Sequence, residues 1–134
     1  MNPIPENTVP NYWLSCMLID EDHMAPFVRG EKDELWTHES GKSSPGEILA
    51  AITAFGAEGR PIWKPMHMQP IYRMNGFITR DGSGRGISNA YISGQSAVDI
   101  GADIFRRGLC LPSDNKMTVD QQEKIIDIIH RCFE

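Results

Sequence analysis

Long apolar runs are missing from this chain. None approaches the roughly 18 residues a membrane span needs, and the opening stretch MNPIPENTVP has neither a basic start nor an apolar h-region. A soluble, cytoplasmic protein is expected. Positive charge is also in short supply: 13 Lys and Arg stand against 18 Asp and Glu, a net charge of −5. Nucleic acid and anionic membranes need a basic face to neutralise their phosphates, so neither is expected as the main partner. The three cysteines, Cys16, Cys110 and Cys132, are odd in number, sit in apolar runs and show no CxxC spacing. They indicate neither a disulfide framework nor a zinc site, and buried free thiols are expected. His23, His38 and His130 lie far apart in sequence and in different element types without metal-ligand spacing, so no metal is expected. Catalytic signatures are absent as well. There is no GxSxG elbow for a serine nucleophile, and Gly82, Gly84 and Gly86 in RDGSGRG match neither GxxxxGK[ST] nor GxGxxG. That stretch reads as a hairpin or insertion loop. Lys42, in SGKSS, lacks the apolar surroundings that a Schiff-base lysine needs and reads as loop.

What is present fits one domain spanning residues 1–134. With 40% apolar residues, a chain of 134 should bury about two thirds of its unfolded surface. The three prolines in residues 1–10 give an extended lead-in. The run YWLSCMLI, residues 12–19, predicts a buried strand. Between 20 and 43 the pattern is weak and supports only a short helix near 22–29, with loop elsewhere. Ser44-Pro45-Gly46-Glu47 starts a helix over about 45–55, with Ser44 as cap, Glu47 placed to reach back to it, and Ile48, Leu49, Ile52 and Phe55 on one face. Arg60 to Trp63 predicts an edge strand, since Pro61 cannot donate to a ladder. A second helix is expected over 96–107, capped by Ser96 with Asp99 behind it, carrying Ile100, Ile104 and Phe105 inward and Arg106 and Arg107 at its negative end. LCLP, 109–112, predicts a short buried strand. Thr118 and Gln121 open a last helix whose stripe is Ile125, Ile128, Ile129 and Cys132. The fold class is α+β, a small mixed or antiparallel sheet of about three strands covered by helices. The open edge of so small a sheet calls for another domain or chain nearby.

Residues 60–70, RPIWKPMHMQP, crowd two cations, an indole, an imidazole and an amide between three prolines. An extended, stiff segment with that many polar tips is suited to a ligand. His67 is the leading candidate, because imidazole titrates near neutrality and an irregular segment can present it outward. The structural alternative is a partly buried histidine satisfied by backbone. Arg60 and Lys64 are suited to a phosphate or carboxylate, by a fork and a point charge respectively, or to plain solvation. Trp63 and Tyr72 are suited to stacking on a sugar or base, or to the core. No catalytic residue is assigned.

Three blocks carry a family resemblance: PNYWLSCMLID at 10–20, EGRPIWKPMHMQP at 58–70 and DIFRRGLCLPSDNKMTVDQQEKIIDII at 103–129. With the helix between the first two, they resemble the C-terminal domain of the DegT/DnrJ/EryC1/StrS aminotransferases, pyridoxal-phosphate enzymes that aminate nucleotide-linked keto sugars. Segments 21–43 and 73–95 depart from the family's usual connections. The resemblance implies the small domain of a fold type I aminotransferase, packed on a large cofactor-binding domain and working as a homodimer. It implies that His67, with Lys64, Trp63, Gln69 and Arg60 as weaker candidates, lines a sugar-nucleotide cleft. The Schiff-base lysine, the acid facing the pyridine nitrogen and the phosphate-binding serine belong to the large domain. Pyridoxal phosphate is therefore expected in the complete enzyme and not on this chain alone. The alternative is a stand-alone binding or assembly module that keeps the fold without the chemistry.

Overall fold

Proline and serine set the first long element. In a computed structural model, which describes residues 4–29, 34–72, 75 and 99–134, helix α1 runs over Pro45–Ala54 with Ser44 as its cap. Ser44 Oγ accepts from the Glu47 amide at 3.2 Å, and proline takes a first-turn position where no N–H is needed. Glu47 does not reach back as expected. Its carboxylate instead meets His38 Nδ1 at 2.9 Å and accepts from Ser43 Oγ at 2.9 Å, which ties the preceding loop to the helix start. Gly56, at φ +87°, follows the helix in the left-handed region that glycine enters without a Cβ penalty.

The chain divides into two compact units, Met1–Ile62 with Arg107–Glu134, and Trp63–Arg106. The first holds an antiparallel sheet of three short strands: β1 (Cys16–Leu18), β4 (Arg60–Pro61) and β5 (Gly108–Cys110), in the order β1-β5-β4. Here α2 denotes Ile100–Arg107 and α3 Val119–Arg131. Central strand β5 is buried throughout. Cys110 faces Cys16 on one side and Arg60 on the other. Pro61 lies on the edge strand, as its missing donor requires. Ile48 and Ile52 of α1, Leu109 of β5, Ile125 and Ile129 of α3, Cys132 and Ile19 form the core. Phe55, expected with the α1 stripe, is exposed. Helix α3 begins with a full capping box: Thr118 Oγ1 accepts from the Gln121 amide at 3.3 Å, and Gln121 Oε1 accepts from the Thr118 amide at 2.9 Å.

Two further expectations fail in this unit. The strand expected over 12–19 is confined to Cys16–Leu18, with Ser15 and Ile19 each adding one backbone bond beyond it, and its start is lost because Tyr12 takes φ 52° and the Trp13 amide donates to Asn11 Oδ1 at 3.2 Å, a local turn that leaves the extended path. The short helix near 22–29 is a single 3-10 turn, Glu21–His23, followed by a hairpin of β2 (Phe27–Arg29) and β3 (Glu34–Trp36). Pro26 stops the helix, since its ring excludes both the amide hydrogen and the preceding turn. Arg29 then holds the hairpin by donating from Nε to Glu34 Oε2 at 2.8 Å, with its guanidinium 5.6 Å from the Phe27 ring centre. Glu34 Oε1 accepts from the Gly46 amide at 2.8 Å, tying the hairpin to the first turn of α1.

An α+β architecture with small antiparallel sheets results. No helix among the described residues is long and apolar enough to cross a membrane. The RDGSGRG loop and Ser96 lie outside the described residues.

Candidate functional site: the His67 turn

Within Trp63–Arg106, Pro65 opens a 3-10 turn over Met66–Met68 rather than continuing the extended path expected for residues 60–70. Its fixed φ, here −54°, suits the entry to a turn, and only its own missing N–H is lost. The Met68 amide donates to the Pro65 carbonyl at 2.9 Å and the Gln69 amide to Met66 at 3.0 Å. A second such turn follows at Pro70–Tyr72. Gln69 Nε2 donates to the Lys64 carbonyl at 3.3 Å, so this amide serves the turn's own geometry. Trp63, by contrast, is 59% exposed.

His67 sits at the centre of the first turn. It is not turned to solvent: His67 Nε2 lies 2.6 Å from Asp99 Oδ2, and the two side chains are only 13% and 9% exposed. Asp99 is also the cap of α2. Its Oδ1 accepts from the Ala102 amide at 2.9 Å, and its carbonyl accepts from the Asp103 amide at 2.9 Å. Asp99 caps the helix over Ile100–Arg107, while the start expected at Ser96 lies outside the described residues. Ile100, expected inward, is 67% exposed at the first helical position. The side chains of Ile104 and Phe105 are half-buried. Pro65 Cγ lies 3.4 Å from the place a Cβ on Gly101 would take, so the His67 turn and the first turn of α2 pack directly.

Trp63, Lys64, His67 and Gln69 therefore share one short turn-forming segment. Arg60 belongs to the other unit, on β4, where its exposed guanidinium pairs with Glu58. Asp99 escaped the sequence reading as a site residue. It was legible only as part of a helix start, because nothing local links it to a histidine so far along the chain. Lys42 does not suit an aldehyde cofactor, being paired with Glu39 Oε1 at 2.8 Å beside the exposed turn at Gly41. An imine-forming lysine works as a free amine in an apolar pocket. No step through such a cofactor is derived from this chain.

No family model matches the chain. It is similar to EpsN of Bacillus subtilis (strain 168), a protein named as a pyridoxal phosphate-dependent aminotransferase, with 31% identity over 90 residues. The match covers 67% of this chain and 20% of EpsN, so the chain spans about one fifth of that relative's length. Across two thirds of its residues, this chain is thus related to part of an aminotransferase.

Proposed function

We propose that these residues belong to the C-terminal domain of a pyridoxal-phosphate-dependent aminotransferase acting on nucleotide-linked keto sugars in the synthesis of cell-surface polysaccharide or glycan precursors. The similarity to EpsN over 90 residues carries the reading. The resemblance of RPIWKPMHMQP and RGLCLPS to the sugar aminotransferases supplies the substrate class. In the complete enzyme the cofactor supplies amino-group transfer from glutamate to the ketone, and it is held by a large domain. This chain's residues bind and orient. Trp63 offers an exposed indole face for a sugar or base, Lys64 a compact charge for the diphosphate, and His67 a hydrogen-bonding ring held in place by its turn. Gln69 shapes that turn, and Arg60 is a weaker candidate for an anion. A homodimer, with the large domain covering the edges of the small sheet, completes the arrangement.

Replacing His67 by alanine in the complete enzyme is expected to raise KM for the sugar nucleotide about tenfold or more, the loss of one well-formed hydrogen bond to a polar ligand. An unchanged KM removes His67 from the site.

A further inference from the structure

Two sulfurs face each other across the sheet of the first unit. On either side of them the Leu111 amide donates to the Ser15 carbonyl at 2.9 Å and the Ile19 amide to the Arg107 carbonyl at 3.1 Å. Cys16 and Cys110 are direct partners in that register and fall at a position between bonded pairs. They form the non-hydrogen-bonded kind of pair, whose Cα atoms stand closer, about 4.5 Å apart. A disulfide spans that separation without moving the backbone. The sulfurs are already 3.8 Å apart, and side-chain rotation is enough to bring them to the bonded distance of about 2.0 Å. Strand alternation puts both on the face opposite to Met17 and Leu109, which pack with the core cluster, so the bond lies outside that cluster.

The two thiols differ in access. Cys16 is half-buried on an edge strand, whereas Cys110 is buried on the central one. Burial, with the hydrogen bond and charge of Cys16 behind it, holds the Cys110 thiol protonated. Cys16 is therefore the sulfur that an oxidant reaches first. We propose that Cys16 and Cys110 form a redox-active pair, a modification site at which hydrogen peroxide converts two thiols into a reversible disulfide. The Cys16 sulfur attacks one peroxide oxygen; the S–O bond forms, the O–O bond breaks, and the departing hydroxide leaves as water with the thiol proton. Cys16 is then a sulfenic acid. The Cys110 sulfur attacks Cys16 Sγ; the S–S bond forms, the S–O bond breaks, and the hydroxyl leaves as water with the Cys110 proton. Peroxide has gained the two electrons that the thiols have lost. A protonated thiol reacts slowly with molecules in solution, but a partner held at 3.8 Å meets it at a very high effective concentration. The bond ties β1 to β5 and closes residues 16–110 into one covalent loop, which a dithiol reopens. None of this chemistry needs a cofactor or a second domain.

The 134-residue chain, folded and reduced, is exposed to hydrogen peroxide, then denatured, alkylated and digested for mass spectrometry. Cys132, whose Sγ donates to the Ile128 carbonyl at 3.3 Å within the core cluster, is the internal control. The expected product joins the Cys16 and Cys110 peptides, lighter than their sum by two hydrogens, while Cys132 is alkylated. Dithiothreitol should return both thiols. In urea the same treatment should favour Cys110 with Cys132, the pair nearest in sequence, because loop length alone then decides. Dimedone should trap a sulfenic acid at Cys16 in Cys110→Ser, whereas Cys110 should stay a thiol in Cys16→Ser. All three cysteines still alkylated after peroxide treatment of the folded chain, a cross-link to Cys132, or Cys16 carried on to sulfinic acid without joining Cys110 would overturn the proposal. A Cys16–Cys110 bond that dominates equally in urea would overturn it too, since the fold would then not be what brings the pair together. A dimedone adduct at Cys110 in Cys16→Ser would overturn the assignment of Cys16 as the sulfur that peroxide meets.

Discussion

The sulfurs of Cys16 and Cys110 lie 3.8 Å apart across the β1–β5 pair, where the two residues are direct partners. Cys110 is buried on the central strand. Burial, and after it the hydrogen bond and charge of Cys16, push its thiol up from 9.0 to about 11. An unfolded chain ionises this thiol first, so raising the pH between these two values favours unfolding. Stability should fall by about 1–3 kcal/mol over that window on account of this group. The slope should become shallower in Cys110→Ala, leaving the contribution of Cys132, whose thiol burial also pushes up. Urea titrations of both proteins across the window check this, and parallel pH profiles would refute it.

Thiol chemistry follows the same burial. Cys132, which burial and the nearby Glu47 charge also push up, is covered along with Cys110. A thiol held protonated and covered is a poor nucleophile. Iodoacetamide near neutral pH should therefore leave Cys110 and Cys132 unmodified in the folded chain and label both after denaturation. Mass spectrometry of peptides containing each residue decides it, and rapid native labelling of Cys110 would contradict the buried strand.

Glu34 joins Arg29 to the start of α1, and glycine at 46 makes room for it. A Cβ there would lie 2.6 Å from Glu34 Oε1 and 3.0 Å from its Cβ. Gly46→Ala should displace the carboxylate from both the Gly46 amide and Arg29, at a cost of about 1–3 kcal/mol. Chemical denaturation measures the loss. If Glu34→Gln costs as much and the double variant adds little more, the two changes act through the same contact.

Ile48 and Ile52 are fully buried at the centre of the core. Truncating either to alanine is expected to cost about 2–5 kcal/mol, whereas Thr118→Ala at the α3 cap should cost about 1 kcal/mol. Equal losses at the three positions would contradict the placement of the core.

The starts of α1 and α3 were legible in the sequence because capping is local. Ser44 with Pro45, and Thr118 with Gln121, lie within one turn of the backbone groups they satisfy. The buried strand expected over 109–112 was legible for a similar reason, being a short apolar run beside a glycine, and it lies at Gly108–Cys110. The β2–β3 hairpin was not. Its strands are three residues each, too short for an alternating pattern to emerge, and what holds them is the Arg29–Glu34 pair and the tie to Gly46. In the site, the crowding of residues 60–70 pointed to His67. Asp99 was visible only as part of a helix start, since its second oxygen acts on a residue far away in sequence. Long-range pairing of two polar groups leaves no periodic trace, and so the extended, outward-facing histidine expected from the prolines proves to be a partly covered one on a tight turn.

Reconstitution tests the proposed function most directly. The 134-residue chain is mixed with the large, lysine-bearing domain of a matching sugar aminotransferase, and amination of a nucleotide-linked keto sugar by glutamate is followed in the presence of pyridoxal phosphate. The account predicts that the two parts associate and that turnover appears only in the mixture, reduced when the chain carries His67→Ala. Failure of the chain to associate with that domain, or turnover that does not depend on the chain, would contradict it.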